Sequence, residues 1–193
     1  MPGTAHEILI LALREQPSLV AMLLARLTGR PAPGPLTVAD SALRFADVKE
    51  VRPDLVLRAP GLPWAVLEVQ HAVDEAKRRR WPLAASVLLD EHQAMGEFLV
   101  LTHRRSVARW AAHDIAWQSA RGTRLTLEPL VLRVDLGEAE RLVREGEPEL
   151  ALVAAWALQG KSGPRSKALA LRALERTASL PEPMQRRQGR AIM

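Results

Sequence analysis

Two apolar segments joined by a turn decide the fold of this chain: residues 53–58 read PDLVLR, and residues 64–70 read WAVLEVQ. Both are typical of β-strands, and the intervening APGLP of residues 59–63 is typical of a hairpin turn. Side chains alternate along a strand, so Glu68 and the glutamine two residues later share one face. We therefore expect strand pairing to bring Asp54 beside Glu68.

The two carboxylates have a plain interpretation and a functional one. Either could be a solvated side chain on an edge hairpin, because short motifs are weak signals. Glu68, however, interrupts an otherwise apolar strand, where an unpaired carboxylate would be costly if the strand is central. Asp54, Glu68, the carbonyl of Val69 and the amide of Gln70 offer the oxygen ligands that a hard cation such as Mg²⁺ binds. The pattern therefore favours a divalent metal site.

The order of the other segments predicts a mixed sheet. The hairpin is followed by a helical segment over about 73–89, continuous or broken at Pro82, then a buried strand over 98–101 and a helix over 106–112. A strand pair joined through a helical crossover to another strand is typical of an α/β fold with a mixed sheet. The remaining predicted elements are an N-terminal helical run 8–27 broken at Pro17, strands 43–45, 124–127 and 131–134, and helices 148–158 and 163–179.

These residues resemble the motif of the PD-(D/E)xK nuclease superfamily, which has the restriction-endonuclease-like fold. Residues 53–54 match its PD, and residues 68–70 stand where it has E-x-K. The segment 74–82, DEAKRRRWP, resembles the continuation in a bacterial branch that is similar to recombination-promoting, transposase-associated nuclease-like proteins. The resemblance covers about residues 4–158. Its further matching segments are 98–102, 106–111 and 129–131.

The resemblance implies a mixed β-sheet flanked by helices, with a helical C-terminal extension. The implied domains are a nuclease core over residues 1–136, an extension packed on it over 137–180 and a basic flexible tail over 181–193. The implied activity is phosphodiester hydrolysis with Mg²⁺ or Mn²⁺ as cofactor and DNA as substrate. Asp54 and Glu68 are then both metal ligands and catalytic residues.

Glu7 has two interpretations. The sequence Thr4-Ala5-His6-Glu7 matches a capping box, in which the glutamate only satisfies the helix backbone. In nucleases of the resembling fold, a carboxylate of the first helix often completes the metal site, and a His-Glu pair at this place belongs to the pattern of the branch. Glu7 is therefore a candidate third metal ligand by resemblance, and the capping role stays open.

Gln70 departs from the superfamily pattern, which usually has a catalytic lysine at this place. A glutamine can hydrogen-bond a water molecule, but it carries no charge and cannot act as a base. The resemblance implies that Gln70 orients the attacking water. If a helix begins near Val73, then Lys77 and Arg78 share a face with Asp74, and either cation can replace the missing charge.

The basic segment 77–80 has two equally supported interpretations. Either Lys77 is catalytic and Arg78, Arg79 and Arg80 contact nucleic acid, or the whole segment is a solvated basic turn. The net charge of +5 permits a nucleic-acid partner, since Arg and Lys bind backbone phosphates. A GC-rich genome also produces Arg-rich and Ala-rich chains, so charge alone does not decide between the two.

The composition excludes several kinds of site. A chain of 193 residues with 48% hydrophobic content can bury the core of one domain. It has no cysteine, which excludes disulfides, thiolate metal sites and cysteine nucleophiles. The N-terminal sequence lacks a signal-peptide pattern and no apolar run reaches membrane length, so we expect a cytoplasmic protein without a membrane partner.

Three classes of function remain open. The first is the nuclease, with DNA and a second copy of the chain, in a homodimer, as expected partners. The second is a catalytically weak or inactive nuclease-fold module that binds nucleic acid or protein, which the uncharged Gln70 would favour. The third is a helical partner-binding surface over residues 148–178. Lys77 close to Glu68 would favour the enzyme, whereas an exposed apolar face over 148–178 would favour the third class.

Overall fold

The computed structural model describes residues 4–29, 31–32, 34–39, 43–44, 50–118 and 124–192. The α-helices in this part of the chain are α1 Thr4–Glu15, α2 Ser18–Thr28, α3 Glu75–Arg78, α4 Trp81–His92, α5 Arg105–Ala112, α6 Leu136–Glu145, α7 Ala151–Ala157, α8 Pro164–Thr177 and α9 Glu182–Ile192. A 3-10 turn, Pro148–Leu150, precedes α7. The strands are β1 Thr37–Val38, β2 Leu43–Arg44, β3 Glu50–Val51, β4 Leu55–Ala59, β5 Leu62–Val69, β6 Glu97–Thr102, β7 Ile115–Gln118, β8 Arg124–Leu127 and β9 Leu130–Arg133.

A five-stranded mixed sheet forms the centre of the structure, with the strand order β1-β4-β5-β6-β9. β4 pairs antiparallel with β1 and β5, whereas β6 pairs parallel with β5 and β9. Two further pairs, β2–β3 and β7–β8, lie outside this sheet. The arrangement confirms the predicted α/β fold, including the β4–β5 hairpin and the helical crossover from β5 to β6.

Alternation along β5 divides the core into two layers. Leu67 and Val69 lie in the layer that contains α1, α2 and the C-terminal helices α6, α7 and α8. Trp64 and Val66 lie in the opposite layer, with α4, one residue of α5 and the β7–β8 pair. Glu68 alternates with Val69 and so belongs to the second face, beside α3 and α4.

The predicted helix over 73–89 is in fact two helices. α3 ends at Arg78 and α4 begins at Trp81, so Pro82 lies in the first turn of α4. Proline is favoured there because the N–H that it lacks would have no partner within the helix. The sequence did not predict β1, β3 or β7, and Phe45 of the predicted strand 43–45 lies outside the described residues.

The N-terminal helical run is broken at Pro17, as predicted. α1 ends at Glu15 and α2 begins at Ser18, and the two helices meet at an angle of 93°. No single helix in the described ranges is long and apolar enough to cross a membrane, and the α1–α2 pair reaches that length only across its bend.

The C-terminal segment differs from the predicted flexible tail. Residues 182–192 form α9, which contacts α1 and α7. Gln188 is buried, and its Nε2 donates to Oε1 of Gln16 at 2.8 Å. Residues 182–192 are therefore helical where the sequence predicted a basic flexible tail. A buried amide pair, which hydrophobic periodicity does not reveal, helps to hold this helix against the bend between α1 and α2.

The apolar helix α7 is buried in the core. Leu152, Val153 and Trp156 are buried in the same layer as α1 and the sheet. On α8, Leu171 is exposed but Leu169 is buried. The packing therefore gives little support to a partner-binding surface over residues 148–178.

Gly96 should be intolerant of any side chain, because β6 begins directly beside Trp64 of β5. A Cβ atom at position 96 would lie 2.0 Å from the Trp64 carbonyl oxygen and 2.4 Å from its indole Cδ2. We expect Gly96→Ala to lower the free energy of unfolding by about 2–4 kcal/mol in urea titrations. Gly137→Ala is the control: its Cβ would meet nothing closer than 3.5 Å, and it should unfold at equal or higher urea. Equal stability of the two variants would contradict this packing.

Candidate functional site

Asp54 and Glu68 converge at one end of the β4–β5 hairpin. Leu55 pairs antiparallel with Leu67, so Asp54, directly before Leu55, lies beside Glu68, directly after Leu67. The ammonium group of Lys77 contacts both carboxylates, at 2.9 Å from Asp54 Oδ1 and 2.6 Å from Glu68 Oε2. The predicted proximity of the two acidic residues is therefore confirmed, and a lysine lies between them.

Lys77 reaches the hairpin from α3, the short helix that follows β5. The helix begins after Asp74, whose Oδ1 accepts a hydrogen bond from the Lys77 backbone N–H at 2.8 Å. A side-chain oxygen at this position satisfies one of the unpaired donors of the first helical turn. Asp74 therefore positions the helix that carries the lysine, and it makes no described contact with the two acidic residues of the hairpin.

Asp54 is oriented by the backbone of β5. Its Oδ2 accepts the Val69 N–H at 2.8 Å, which leaves Oδ1 directed at Lys77. Gln70 N donates to the carbonyl of Leu101 on β6, so the alternate residue Val69 presents its N–H and carbonyl towards β4. The Val69 carbonyl therefore points to the same side of the strand as Asp54.

Gln70 lies on the same face as Glu68, as predicted. It is buried, and its Nε2 donates to Glu68 Oε2 at 3.1 Å. The same oxygen of Glu68 accepts from Lys77, so the two donors together fix the orientation of this carboxylate. A charge-assisted pair of donors of this kind compensates part of the cost of burying Glu68.

The charge state of this centre is set by burial. Glu68 is 2% exposed, and burial together with the nearby charge of Asp54 raises its pKa to about 8, although Lys77 acts in the opposite direction. For Lys77, burial lowers the pKa, but Glu68 and Asp54 raise it by more. Lys77 therefore stays protonated near neutral pH, and Glu68 exchanges its proton in that range.

The oxygen atoms of this centre fit a small divalent cation. Asp54 Oδ1 and Glu68 Oε2 both contact the Lys77 ammonium, and the Val69 carbonyl faces the same side as Asp54. Mg²⁺ is usually held by one or two carboxylates and keeps several waters, so two carboxylates and a carbonyl are a suitable set. Within the described ranges, no three or more His, Asp or Glu side chains are placed to hold one ion together.

α1 contributes a histidine to the site where the sequence predicted a glutamate. His6 Nε2 lies 3.9 Å from Asp54 Oδ1. Glu7 is exposed and lines a shallow cavity together with Asp54, but it makes no described contact with the carboxylate or with Lys77. Its role as a third metal ligand stays a prediction.

The three arginines after Lys77 differ in their surroundings. Arg78 donates to the carbonyl of His113 at 2.7 Å and lies 5.5 Å from the centre of the Trp110 ring. Arg78 therefore ties α3 to the end of α5. The side chains of Arg79 and Arg80 are exposed, and Arg80 lines a cavity together with Lys77.

Two histidines beside this centre were not among the predicted site residues. His71 follows β5 and His103 follows the parallel strand β6, and their rings lie 5.6 Å apart. His71 also lies 5.4 Å from His6, and His103 lies 5.2 Å from Trp156. Burial lowers the pKa of both, that of His103 to about 4, so both are neutral at pH 7. The sequence does contain a signal for this pair, since a histidine follows each of two buried strands. If the two strands are parallel, they end at the same edge of the sheet and bring the histidines together.

Comparison with protein-family models, with curated proteins and with solved structures found no match to this chain. The fold and the site define it as a mixed-sheet α/β protein with a buried centre of two carboxylates and one lysine. Any assignment of function therefore rests on the chemistry of that centre and on the resemblance of its motif.

The raised pKa of Glu68 has a consequence for stability. Its pKa is about 8 in the folded state and near 4.5 in an unfolded chain, so the folded state holds the proton more tightly. Stability from this group is complete below pH 4.5 and is lost as the pH rises to 8. Between pH 5.5 and pH 8.0 in EDTA, wild type should therefore lose about 1–3 kcal/mol of unfolding free energy relative to Glu68→Gln.

Urea unfolding of wild type and Glu68→Gln at the two pH values measures this difference. Glu128→Gln, which changes an exposed carboxylate, is the matched control and should run parallel to wild type. A constant difference between Glu68→Gln and wild type across this range would show that Glu68 is not buried as a protonated group.

Proposed function

We propose that this protein is a divalent-metal-dependent nuclease that hydrolyses phosphodiester bonds in DNA. The observation that carries the proposal is the contact of one lysine ammonium with two carboxylates on adjacent strands, at 2.9 and 2.6 Å. Two acidic residues and a lysine are the set that the PD-(D/E)xK resemblance implies. In this chain the lysine comes from α3, and Gln70 occupies its usual place on the strand.

Each residue of the centre has a separate role in this proposal. Asp54 and Glu68 hold the cation, with the carbonyl of Val69 as a further oxygen. A bound divalent cation would lower the pKa of a water molecule and neutralise charge on the reacting phosphate. Gln70 holds Glu68 in the orientation that faces the cation, and Lys77 supplies the positive charge that Gln70 lacks. The side chain of Lys77 is 27% exposed, so a phosphate can approach it from solvent.

The charges of the centre support a phosphodiester as the ligand. When a divalent cation displaces the proton of Glu68, two ionised carboxylates, one ammonium and the cation sum to one positive charge. A phosphodiester carries one negative charge, so the cation-loaded centre and the substrate neutralise each other. Without the cation and with Glu68 protonated, Asp54 and Lys77 sum to zero, so the centre has no net charge that would attract a phosphate.

A second candidate function is a nuclease-fold module that binds nucleic acid or protein without turnover. The occupancy of the centre favours it, because the Lys77 ammonium already lies between the two carboxylates that would hold a cation. In that case the lysine is a permanent structural counter-ion. The two candidates differ in whether a divalent cation enters the centre.

Metal-dependent stabilisation distinguishes these candidates. Millimolar Mn²⁺ or Mg²⁺ should raise the melting temperature of the wild type, by an amount equivalent to about 1–3 kcal/mol at saturation. Asp54→Asn should lose most of this gain, because it removes a charged ligand. Lys77→Ala should keep or increase the gain, since the competing ammonium is absent. Differential scanning fluorimetry measures all three, and melts that do not respond to either metal would favour the structural counter-ion.

Cleavage assays test the enzyme directly. With Mn²⁺ or Mg²⁺, Lys77→Ala should lower the cleavage rate of plasmid and single-stranded DNA about 100-fold, as expected for loss of a charge on the transition state. Gln70→Ala should lower the rate about tenfold or more. Glu68→Ala should abolish cleavage, and Lys167→Ala, which changes an exposed lysine of α8, should leave the rate unchanged.

The same variants distinguish two further outcomes of the cleavage assay. If Lys77→Ala lowers only salt-sensitive DNA affinity and not turnover, Lys77 acts by attracting phosphates at long range. If trace cleavage survives Glu68→Ala, the activity belongs to a contaminant, and the protein is better described as a binding module.

A further inference from the structure

The carboxylate–lysine centre lies between two cavities. On one side, a cavity of about 480 Å³ is lined by Glu68 and Lys77. On the other side, a cavity of about 360 Å³ is lined by Asp54, His6 and Glu7. A chain of nucleotides whose phosphate meets Lys77 would therefore place a neighbouring nucleotide at each cavity.

The larger cavity combines apolar walls with cations. Its apolar side is formed by the ring of Trp81 and by Val51, Ala76 and Ala84. Its charged side includes Arg52, Arg80 and Lys77. The carboxylate of Asp74 also lines it, but one of its oxygens is engaged at the start of α3. An apolar wall opposite several cations suits a ligand with a flat ring at one end and a phosphate at the other.

The Trp81 ring lies beneath the cavity surface, since the residue is 1% exposed. Its centroid lies 5.5 Å from that of Phe98 and 5.5 Å from that of Trp110. Its indole N–H is buried and has no hydrogen-bond partner in the described ranges.

The size of the cavity restricts the ligand. A volume of about 480 Å³ lies in the lower part of the range for small-molecule sites, about 300–1,000 Å³. One nucleotide fits such a pocket, whereas a stacked base pair does not, and enzymes that take in a single nucleotide do so in pockets of this kind.

We propose that the cavity between α3, α4 and β3 is a subsite for one unpaired nucleotide next to the phosphodiester at Lys77. The substrate is then single-stranded or frayed DNA, and continuous duplex is a poor substrate. This inference rests on the proposed nuclease function for the position of the phosphodiester. Nucleotide binding in the cavity, however, does not require turnover and is measurable without it.

Two substitutions test the subsite without touching the carboxylate–lysine centre. Ala76 is exposed on α3 and lines the cavity, so Ala76→Trp fills it at little cost to folding. Arg80→Ala removes a cation from its rim. Ala168→Trp and Arg172→Ala change exposed residues of α8 and serve as matched controls. Melting temperatures and Mn²⁺-induced shifts show whether each variant keeps its fold and its centre.

The first measurement is calorimetric binding of the four deoxynucleoside 5′-monophosphates. Wild type and both α8 controls should bind at least one of them, and Ala76→Trp and Arg80→Ala should weaken this binding tenfold or more. Absence of binding by the wild type, or equal binding by Ala76→Trp, would overturn the subsite.

The second measurement compares cleavage of a single-stranded oligonucleotide with that of its blunt duplex in Mn²⁺. Wild type should cleave the single strand at least tenfold faster, and Ala76→Trp should lose most of that rate. Equal rates on both substrates would overturn the inference while leaving the nuclease proposal intact. Monophosphate binding that Ala76→Trp abolishes, without cleavage of either substrate, would support the subsite and refute the nuclease.

Discussion

The contact of the Lys77 ammonium with two carboxylates is the interaction on which the site depends. Burying an ionised carboxylate costs several kcal/mol, of which a well-placed opposite charge and additional hydrogen bonds offset only a part. Glu68 receives both, from Lys77 and from Gln70. Asp54 is held separately by the Val69 backbone. The end of β5 can therefore carry a glutamate at a position where the rest of the strand is apolar.

This constraint links the site to the sheet. β5 lies between an antiparallel neighbour, β4, and a parallel neighbour, β6, so its backbone groups form hydrogen bonds on both sides. The parallel side requires a crossover, and the crossover begins with α3, which carries Lys77. The same segment that returns the chain to the sheet also supplies the cation. A lysine on the strand itself would not need this helix, and Gln70 on the strand is compatible with the helical lysine because it only has to orient Glu68.

The basic side chains around the centre differ in whether they carry a charge and in whether that charge is already engaged. Arg78 is committed to the carbonyl of His113, whereas the Arg80 side chain lines the larger cavity. The histidines after β5 and β6 are neutral at pH 7 because burial lowers their pKa values. Lys77 and Arg80 therefore place positive charge on the side of α3, next to the larger cavity.

The sequence by itself determined the hairpin and which side chains share a face of its strands. Two apolar segments with a Pro/Gly turn define β4 and β5, and the two-residue period of a strand places Glu68 and Gln70 on one face. Pairing of adjacent strands then brings Asp54 to Glu68, because register in a hairpin is a local property. Only the tertiary structure decided that Lys77 and not Arg78 reaches the carboxylates, and that His6 and not Glu7 approaches Asp54. These outcomes depend on the path of the loop after β5 and on the angle at which α1 crosses the sheet. The cavity beside Trp81 and the amide pair of Gln16 and Gln188 were likewise beyond the sequence, since each forms between segments distant in the chain and no periodicity encodes such a contact.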